Sequence, residues 1–110
     1  MRIAMVGSRN LWVDISRYIP ESMTLLISGG AKGIGSLAER YADLHGIPKR
    51  IILPDYEAFG RAAPLICNRH IVECSEVIIA IWDGKSSGIQ YTIDYAEGFG
   101  KHVILYTIDA

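Results

Sequence analysis

The hydrophobic residues of this chain fall into five short, nearly continuous runs. These runs are rich in β-branched residues and bounded by Gly, Pro, Asp or Ser, which is typical of strands. Because the runs lack alternation with polar residues, we expect strands that are buried on both faces of a sheet. The predicted strands span residues 3–6, 24–27, 50–53, 77–81 and 103–106.

Helical spacing of apolar residues predicts four helices between these strands. The first spans about 11–19 and ends before Pro20. The second repeats apolar residues from Ile34 to Ala42 and ends at Gly46. The third begins near 63–64, where a proline suits the first turn. The fourth has an apolar stripe formed by Ile89, Ile93, Ala96 and Gly100.

Alternation of strands and helices predicts an α/β fold, a Rossmann-like doubly wound parallel sheet of about five strands with helices on both faces. The expected strand order is 3-2-1-4-5. Ligands of such sheets bind at the carboxyl ends of the strands where the order reverses, here between strands one and four. This arrangement places Gly7-Ser8-Arg9 beside Trp82-Asp83-Gly84. The whole chain, 1–110, is predicted to be one domain.

The composition of the chain restricts the class of protein to which it can belong. Half of the residues are hydrophobic and 21% are charged, as in globular domains. No run approaches the roughly 20 apolar residues of a membrane span, and the N-terminus does not resemble a secretion signal, so we expect a cytoplasmic location and no membrane. The net charge of −1 argues against non-specific nucleic-acid binding. Cys67 and Cys74 form no metal-binding motif, and no metal is expected.

The most informative motif is Ser28-Gly29-Gly30-Ala31-Lys32-Gly33, between the second strand and the second helix. Glycines permit positive φ angles and close approach of a ligand, while free N–H groups and the positive helix end favour an anion. Lys32 adds a positive charge. The Gly-Lys-Ser/Thr of a P-loop is missing, and Ser28 stands where a dinucleotide fold usually has an acid. We therefore predict a phosphate site, with a simple tight turn as the alternative.

Several blocks in the same order resemble the SLOG superfamily, which includes the DprA/Smf proteins and the LOG-type phosphoribohydrolases. The chain looks most like its small stand-alone YspA/YpsA-related members. The resemblance runs from Gly7 to Tyr106. The matching blocks are Gly29 to Gly33, Ala38 and Ala42, Asn68-Arg69, Asp83-Gly84, Ser87-Gly88 and Gly100-Lys101.

The resemblance implies a site for a nucleotide or a nucleotide-derived ligand. The glycine loop would hold phosphate, Arg69 would contact it through two hydrogen bonds, and Asn68 would orient ribose or base. Asp83 would accept hydrogen bonds from ribose, and the start of the fourth helix would form a second phosphate cradle. The implied ligand-binding residues are Gly7, Ser8, Arg9, Gly29, Gly30, Ala31, Lys32, Gly33, Asn68, Arg69, Asp83, Ser87, Gly88 and Thr92.

Each of these roles has a structural alternative. Arg9 and Arg69 are also suited to surface ion pairs. Asp83 is equally suited to cap a turn before the glycine that follows it. Trp12 and Trp82 are candidates for stacking on a base, but packing in the core or at an interface is the expectation for both.

Catalysis is not the expected role. In LOG-type phosphoribohydrolases, and in nucleoside deoxyribosyltransferases of similar fold, a catalytic glutamate occupies the position that Thr92 holds here. Glu39 shares a helix face with Ser36, Arg40 and Asp43 and is predicted to be solvated. A binding module, such as a sensor, is therefore the first interpretation.

Two alternatives remain. One is an enzyme that cleaves a nucleotide N-glycosidic bond, with Asp83 stabilising the ribosyl cation. The other is binding of single-stranded DNA, as in DprA, through a basic strip around Lys32, Arg61 and Arg69. No cofactor is expected. A homo-oligomer is predicted, because pairing would bury helix faces and complete the pocket.

Overall fold

The computed structural model of the chain describes residues 1–108. The strands form one parallel sheet with the order β3-β2-β1-β4-β5, which confirms the predicted fold class. In chain order, the elements are β1 (Arg2–Gly7), a 3₁₀ turn (Ile15–Arg17), β2 (Leu25–Ser28), α1 (Ile34–Leu44), β3 (Lys49–Ile51), α2 (Tyr56–Phe59), a second 3₁₀ turn (Gly60–Ala62), α3 (Ala63–Cys74), β4 (Val77–Trp82), α4 (Ser87–Gly98) and β5 (His102–Thr107).

Helices cover both faces of the sheet. Because successive residues of a strand point to opposite faces, the residues of β1 divide between two core clusters. Ile3 and Met5 of β1 pack toward α1 in one core cluster. Ala4 and Val6 pack in a second cluster with α3 and α4. All six residues of β4 are buried, as the unbroken apolar run predicts.

The predicted helix over 11–19 is wrong. This stretch is irregular except for the 3₁₀ turn Ile15–Arg17. Asp14 explains the difference, because its Oδ1 accepts hydrogen bonds from both the N–H and the hydroxyl of Ser16. Short polar side chains compete in this way with the hydrogen bonds of a regular helix. Leu11 and Ile15 are nevertheless buried, which accounts for the helix-like spacing of the apolar residues.

The other helices begin and end close to the predicted positions. Gly46 follows the end of α1 with a φ of 67°, the left-handed conformation that stops a helix. Gly100 lies beyond the end of α4 and so is not part of its apolar stripe. The short helix α2 is not predicted by the sequence pattern. Asp55 begins it, with its Oδ1 accepting a hydrogen bond from the N–H of Ala58.

The two tryptophans differ in burial. Trp82 is buried, and its Nε1 donates a hydrogen bond to Oγ1 of Thr107 at 3.1 Å. This contact agrees with the expectation that Trp82 packs in the core. Trp12 is 65% exposed on the irregular segment after β1.

Candidate functional site

A cavity of about 860 Å³ opens at the carboxyl ends of the strands, beside the point where the strand order reverses. Pockets for small ligands have volumes of about 300–1,000 Å³. Ten of the fourteen predicted residues line this cavity. They are Gly7, Ser8, Arg9, Gly29, Gly30, Ala31, Lys32, Asn68, Asp83 and Gly88.

Two glycines of the loop adopt positive φ angles. Gly30 and Gly33 both have a φ of 72°. Gly33 also caps α1, and no side chain bonds to the helix start there. Because the first N–H groups of a helix have no intrahelical acceptor, they are available to a ligand at the loop. Gly33 itself does not line the cavity; its Cα packs against the backbone of Ser8 and Arg9.

A partly buried hydrogen bond joins the end of β2, just before the glycine loop, to α1. The hydroxyl of Ser28 donates to Oε2 of Glu39 at 2.8 Å, and Ser28 is fully buried. The expectation that Glu39 is solvated is therefore wrong. Gly35 lies one turn before Glu39 on the same helix face, where a Cβ would lie 3.5 Å from Oγ of Ser28, an ordinary van der Waals distance. Glu39 thus holds the end of β2 against α1.

Ser8 and Asp83 join the two loops that face each other across the strand reversal. Ser8 is buried, its N–H donates to the carbonyl oxygen of Ile81, and its Oγ accepts from the N–H of Asp83 at 3.1 Å. Oδ1 of Asp83 accepts from the N–H of Lys85 at 2.9 Å, across Gly84 with a φ of 82°. Asp83 therefore shapes its turn as well as lining the cavity.

The charge state of Asp83 follows from these contacts. The backbone N–H of Lys85 and the hydroxyl of Ser8 hold the pKa of this carboxyl below its usual value. Asp83 is therefore ionised at neutral pH. An ionised carboxylate accepts hydrogen bonds and does not donate them, so Asp83 is suited to bind hydroxyl groups or stabilise a cation rather than act as an acid.

The residues at the start of α4 are arranged differently from the predicted second phosphate site. Ser86, rather than Ser87, is the N-cap, and its Oγ accepts from the N–H of Ile89 at 3.3 Å. Ser86 and Gly88 line the cavity, whereas Ser87 does not. Thr92 is buried outside the cavity lining, and its hydroxyl donates to the carbonyl oxygen of Gly88, a bond typical of threonine inside a helix.

Arg69 does not line the cavity, although its neighbour Asn68 does. Successive residues of a helix point about 100° apart, so the two side chains leave α3 in different directions. The exposed Nε of Arg69 donates to Oη of Tyr91 at 2.6 Å. Its guanidinium also lies 5.7 Å from the ring centre of Tyr95. This placement differs from the phosphate contact that the resemblance implies.

An apolar wall beside the glycine loop is not predicted by the sequence, and it begins at Leu53, whose Cδ2 would lie 2.8 Å from a Cβ built on Gly30. Leu53 is 67% exposed and Tyr56 is 60% exposed, although both are large and apolar. Leu53 ends the predicted third strand but lies outside β3, and Tyr56 lies in a segment without a hydrophobic period, where Asp55 caps α2. The wall consists of Leu53, Pro54, Tyr56, Pro64 and Leu65.

Cys67 extends this wall toward the glycine loop. A Cβ built on Gly29 would lie 3.9 Å from its Sγ. The thiol donates to the carbonyl oxygen of Ile52 at 2.9 Å, and burial raises the pKa of the thiol. Cys67 is therefore a neutral side chain at neutral pH, as expected for a small core residue.

Positive charge predominates at the cavity, where Arg9 and Lys32 face one carboxylate, Asp83. Within residues 1–108, the ion pairs join Arg2 to Glu76 and Lys49 to Asp43, so neither cavity cation is neutralised in this way. Across the same range, no three His, Cys, Asp or Glu side chains lie together as metal ligands would.

No family model, curated protein or solved structure matches this chain. The SLOG resemblance therefore stays a prediction that rests on the residues quoted for it. Among the helices of the described residues, none has the length and apolarity required to cross a membrane.

Proposed function

We propose that this chain binds a nucleotide or a nucleotide-derived ligand in the cavity at the carboxyl ends of the strands. One observation carries the proposal: a glycine loop with two nearby cations lines the same cavity as the apolar wall and the exposed ring of Tyr56. A phosphate group suits the glycine loop and its cations, and a planar base suits the apolar wall with Tyr56. Inorganic phosphate would leave the apolar wall uncovered, and a purely apolar ligand would leave Lys32 and Arg9 without an anion.

The chemistry of the lining residues favours one orientation of the ligand. Phosphate would lie at Gly30 to Lys32, where the loop meets the start of α1. The base would lie against Tyr56 and Leu53. Asp83 and Asn68 offer an acceptor and an amide for the ribose hydroxyls.

Binding without turnover is the favoured activity. Asp83 is the single carboxylate among the lining residues described, and its turn and its low pKa suit an acceptor rather than an acid. Thr92, at the position of the LOG-type catalytic glutamate, is buried with its hydroxyl bonded to the backbone. A module that binds a nucleotide without consuming it is suited to sensing.

A thermal-shift series separates the two ends of the cavity. We expect AMP or a related nucleotide to raise the melting temperature by about 10 °C at a hundred times its dissociation constant. Adenosine and ribose 5-phosphate, which each lack one end, should give smaller shifts. Chromatography of the incubated nucleotide tests turnover, because free base would support the hydrolase alternative with Asp83. No shift with any nucleotide would contradict the proposal.

Substitution of Lys32 tests the phosphate end. We expect Lys32→Ala to raise the dissociation constant for the nucleotide at least about tenfold, because a hydrogen bond to a charged group is lost. Arg69→Ala is the matched control, since Arg69 lies outside the cavity lining and should leave the constant within about twofold. Calorimetry measures both. If Arg69→Ala weakens binding and Lys32→Ala does not, the result would favour the phosphate contact that the resemblance implies for Arg69.

Cys67 provides a chemical probe of the same site. In a Cys74→Ser background, we expect slow alkylation by iodoacetamide that accelerates as the pH rises, because burial raises the pKa of the Cys67 thiol. A saturating nucleotide should slow the reaction at least about tenfold by covering the cavity. Mass spectrometry gives the rate. Equal rates with and without a nucleotide that raises the melting temperature would place the nucleotide elsewhere.

A further inference from the structure

The outer edge of β5 carries a second surface that the proposed function does not use. β5 pairs with β4 over six residues, His102 to Thr107, and within residues 1–108 no strand pairs with its other side. The outward N–H and C=O groups of an edge strand are a template for another strand.

The two edges of the sheet differ in their protection. β3, at the opposite edge, has three residues, begins with Lys49 and Arg50, and follows Pro48. Short length, cations and proline are the features that prevent unwanted strand pairing. The six residues of β5, His-Val-Ile-Leu-Tyr-Thr, include no lysine, arginine, acid or proline, and the one flanking cation on its N-terminal side is Lys101. Its edge is therefore open to pairing.

Apolar side chains continue on both faces around this edge. Leu105 is 45% exposed, and Phe99 at the end of α4 is 53% exposed. On the other face, Tyr106 is 37% exposed and packs edge-to-face on Tyr18, with ring centres 4.8 Å apart. A shallow depression of about 180 Å³ lies beside them, where the helix predicted over 11–19 does not form.

We propose that β5 pairs antiparallel with β5 of a second copy of this chain, so that two sheets join into one of ten strands. A two-fold axis perpendicular to the sheet keeps like faces together, and each copy then pairs the outward backbone groups of the other. With the axis at Leu105, the two Leu105 side chains face each other, and each Ile104 faces Tyr106 of the second copy.

The positions of ionisable residues in β5 favour a second copy of the chain as the pairing partner. His102 is the one ionisable residue of β5 besides Tyr106, and it lies at the start of the strand. Antiparallel pairing keeps the two His102 side chains at opposite ends of the interface. No like charges therefore oppose each other, as they would if two copies of β3 paired through Lys49 and Arg50.

Sedimentation of the chain and two variants tests this proposal. We expect the mass to rise from 12.2 kDa toward twice that value as the concentration increases from about 1 to 200 μM. Leu105→Lys should remain monomeric, because it places two lysines face to face. Leu44→Lys is the matched control, since Leu44 is 77% exposed at the end of α1, and it should dimerise normally.

Hydrogen exchange identifies the surface involved and does not depend on the folding of a variant. The N–H groups of β5 alternate in direction, and those among residues 102–107 that point away from β4 should gain protection with rising concentration. A monomer at every concentration would overturn the proposal. A dimer whose newly protected amides lie outside β5 would also overturn it. A dimer that Leu44→Lys converts to a monomer would have the same consequence. Protection of these outward amides in a monomer would also overturn it, because another part of the chain would then cover the edge.

Discussion

Replacing Gly33 by alanine is expected to reduce the free energy of unfolding by about 4 kcal/mol and to abolish nucleotide binding. Gly33 has φ and ψ of 72° and −124°, which residues with a Cβ rarely adopt. A Cβ there would lie 2.5 Å from the carbonyl oxygen of Ser8 and 2.7 Å from that of Arg9. Because both atoms belong to the backbone, the overlap would push apart two loops that line the cavity.

Gly46→Ala separates this overlap from the effect of positive φ. Gly46 has a φ of 67°, and a Cβ there would meet nothing within 4 Å. Its replacement should destabilise the fold by about 1 kcal/mol and leave nucleotide binding unchanged. Urea denaturation of the two variants and the unmodified chain measures the difference. Equal losses would show that the contact between Gly33 and the loop after β1 does not constrain the fold.

The sheet could be predicted because its signal is local and strong. Continuous apolar runs such as 77–81 are typical of strands buried on both faces, and helical crossovers between parallel strands restrict the possible order. The segment 11–19 could not be predicted in the same way. Burial of Leu11 and Ile15 produces helical spacing, but the spacing does not show that Asp14 bonds to Ser16 and forms a 3₁₀ turn instead.

The candidate site was predictable where the backbone itself forms it. The glycines of residues 29–33 mark a loop whose conformation is encoded locally. Side-chain direction is a weaker signal, and so Asn68 lines the cavity while the adjacent Arg69 faces Tyr91. The apolar wall at Tyr56 lies in a segment without hydrophobic periodicity, and only tertiary structure brings it to the glycine loop.

The second large effect is expected for Gly7→Ala, at the last residue of β1. A Cβ on Gly7 would lie 2.3 Å from the carbonyl oxygen of Ile81 and 2.4 Å from Cγ1 of Ile34. The first contact is with the backbone of β4 and the second with the start of α1. Overpacking of this kind should reduce the free energy of unfolding by about 3 kcal/mol, measured by urea denaturation.

Gly98→Ala is the control for this variant and should have the opposite sign. Gly98 is the last residue of α4, is exposed, and has open space around its Cα. Alanine there should stabilise the fold by up to about 1 kcal/mol, because glycine is the poorer helix former. Destabilisation by both variants would remove the steric explanation for Gly7. If Gly7→Ala lowers the free energy of unfolding and Gly98→Ala raises it, the close approach of β1, β4 and α1 at Gly7 sets both the packing of the sheet and the shape of the cavity above it.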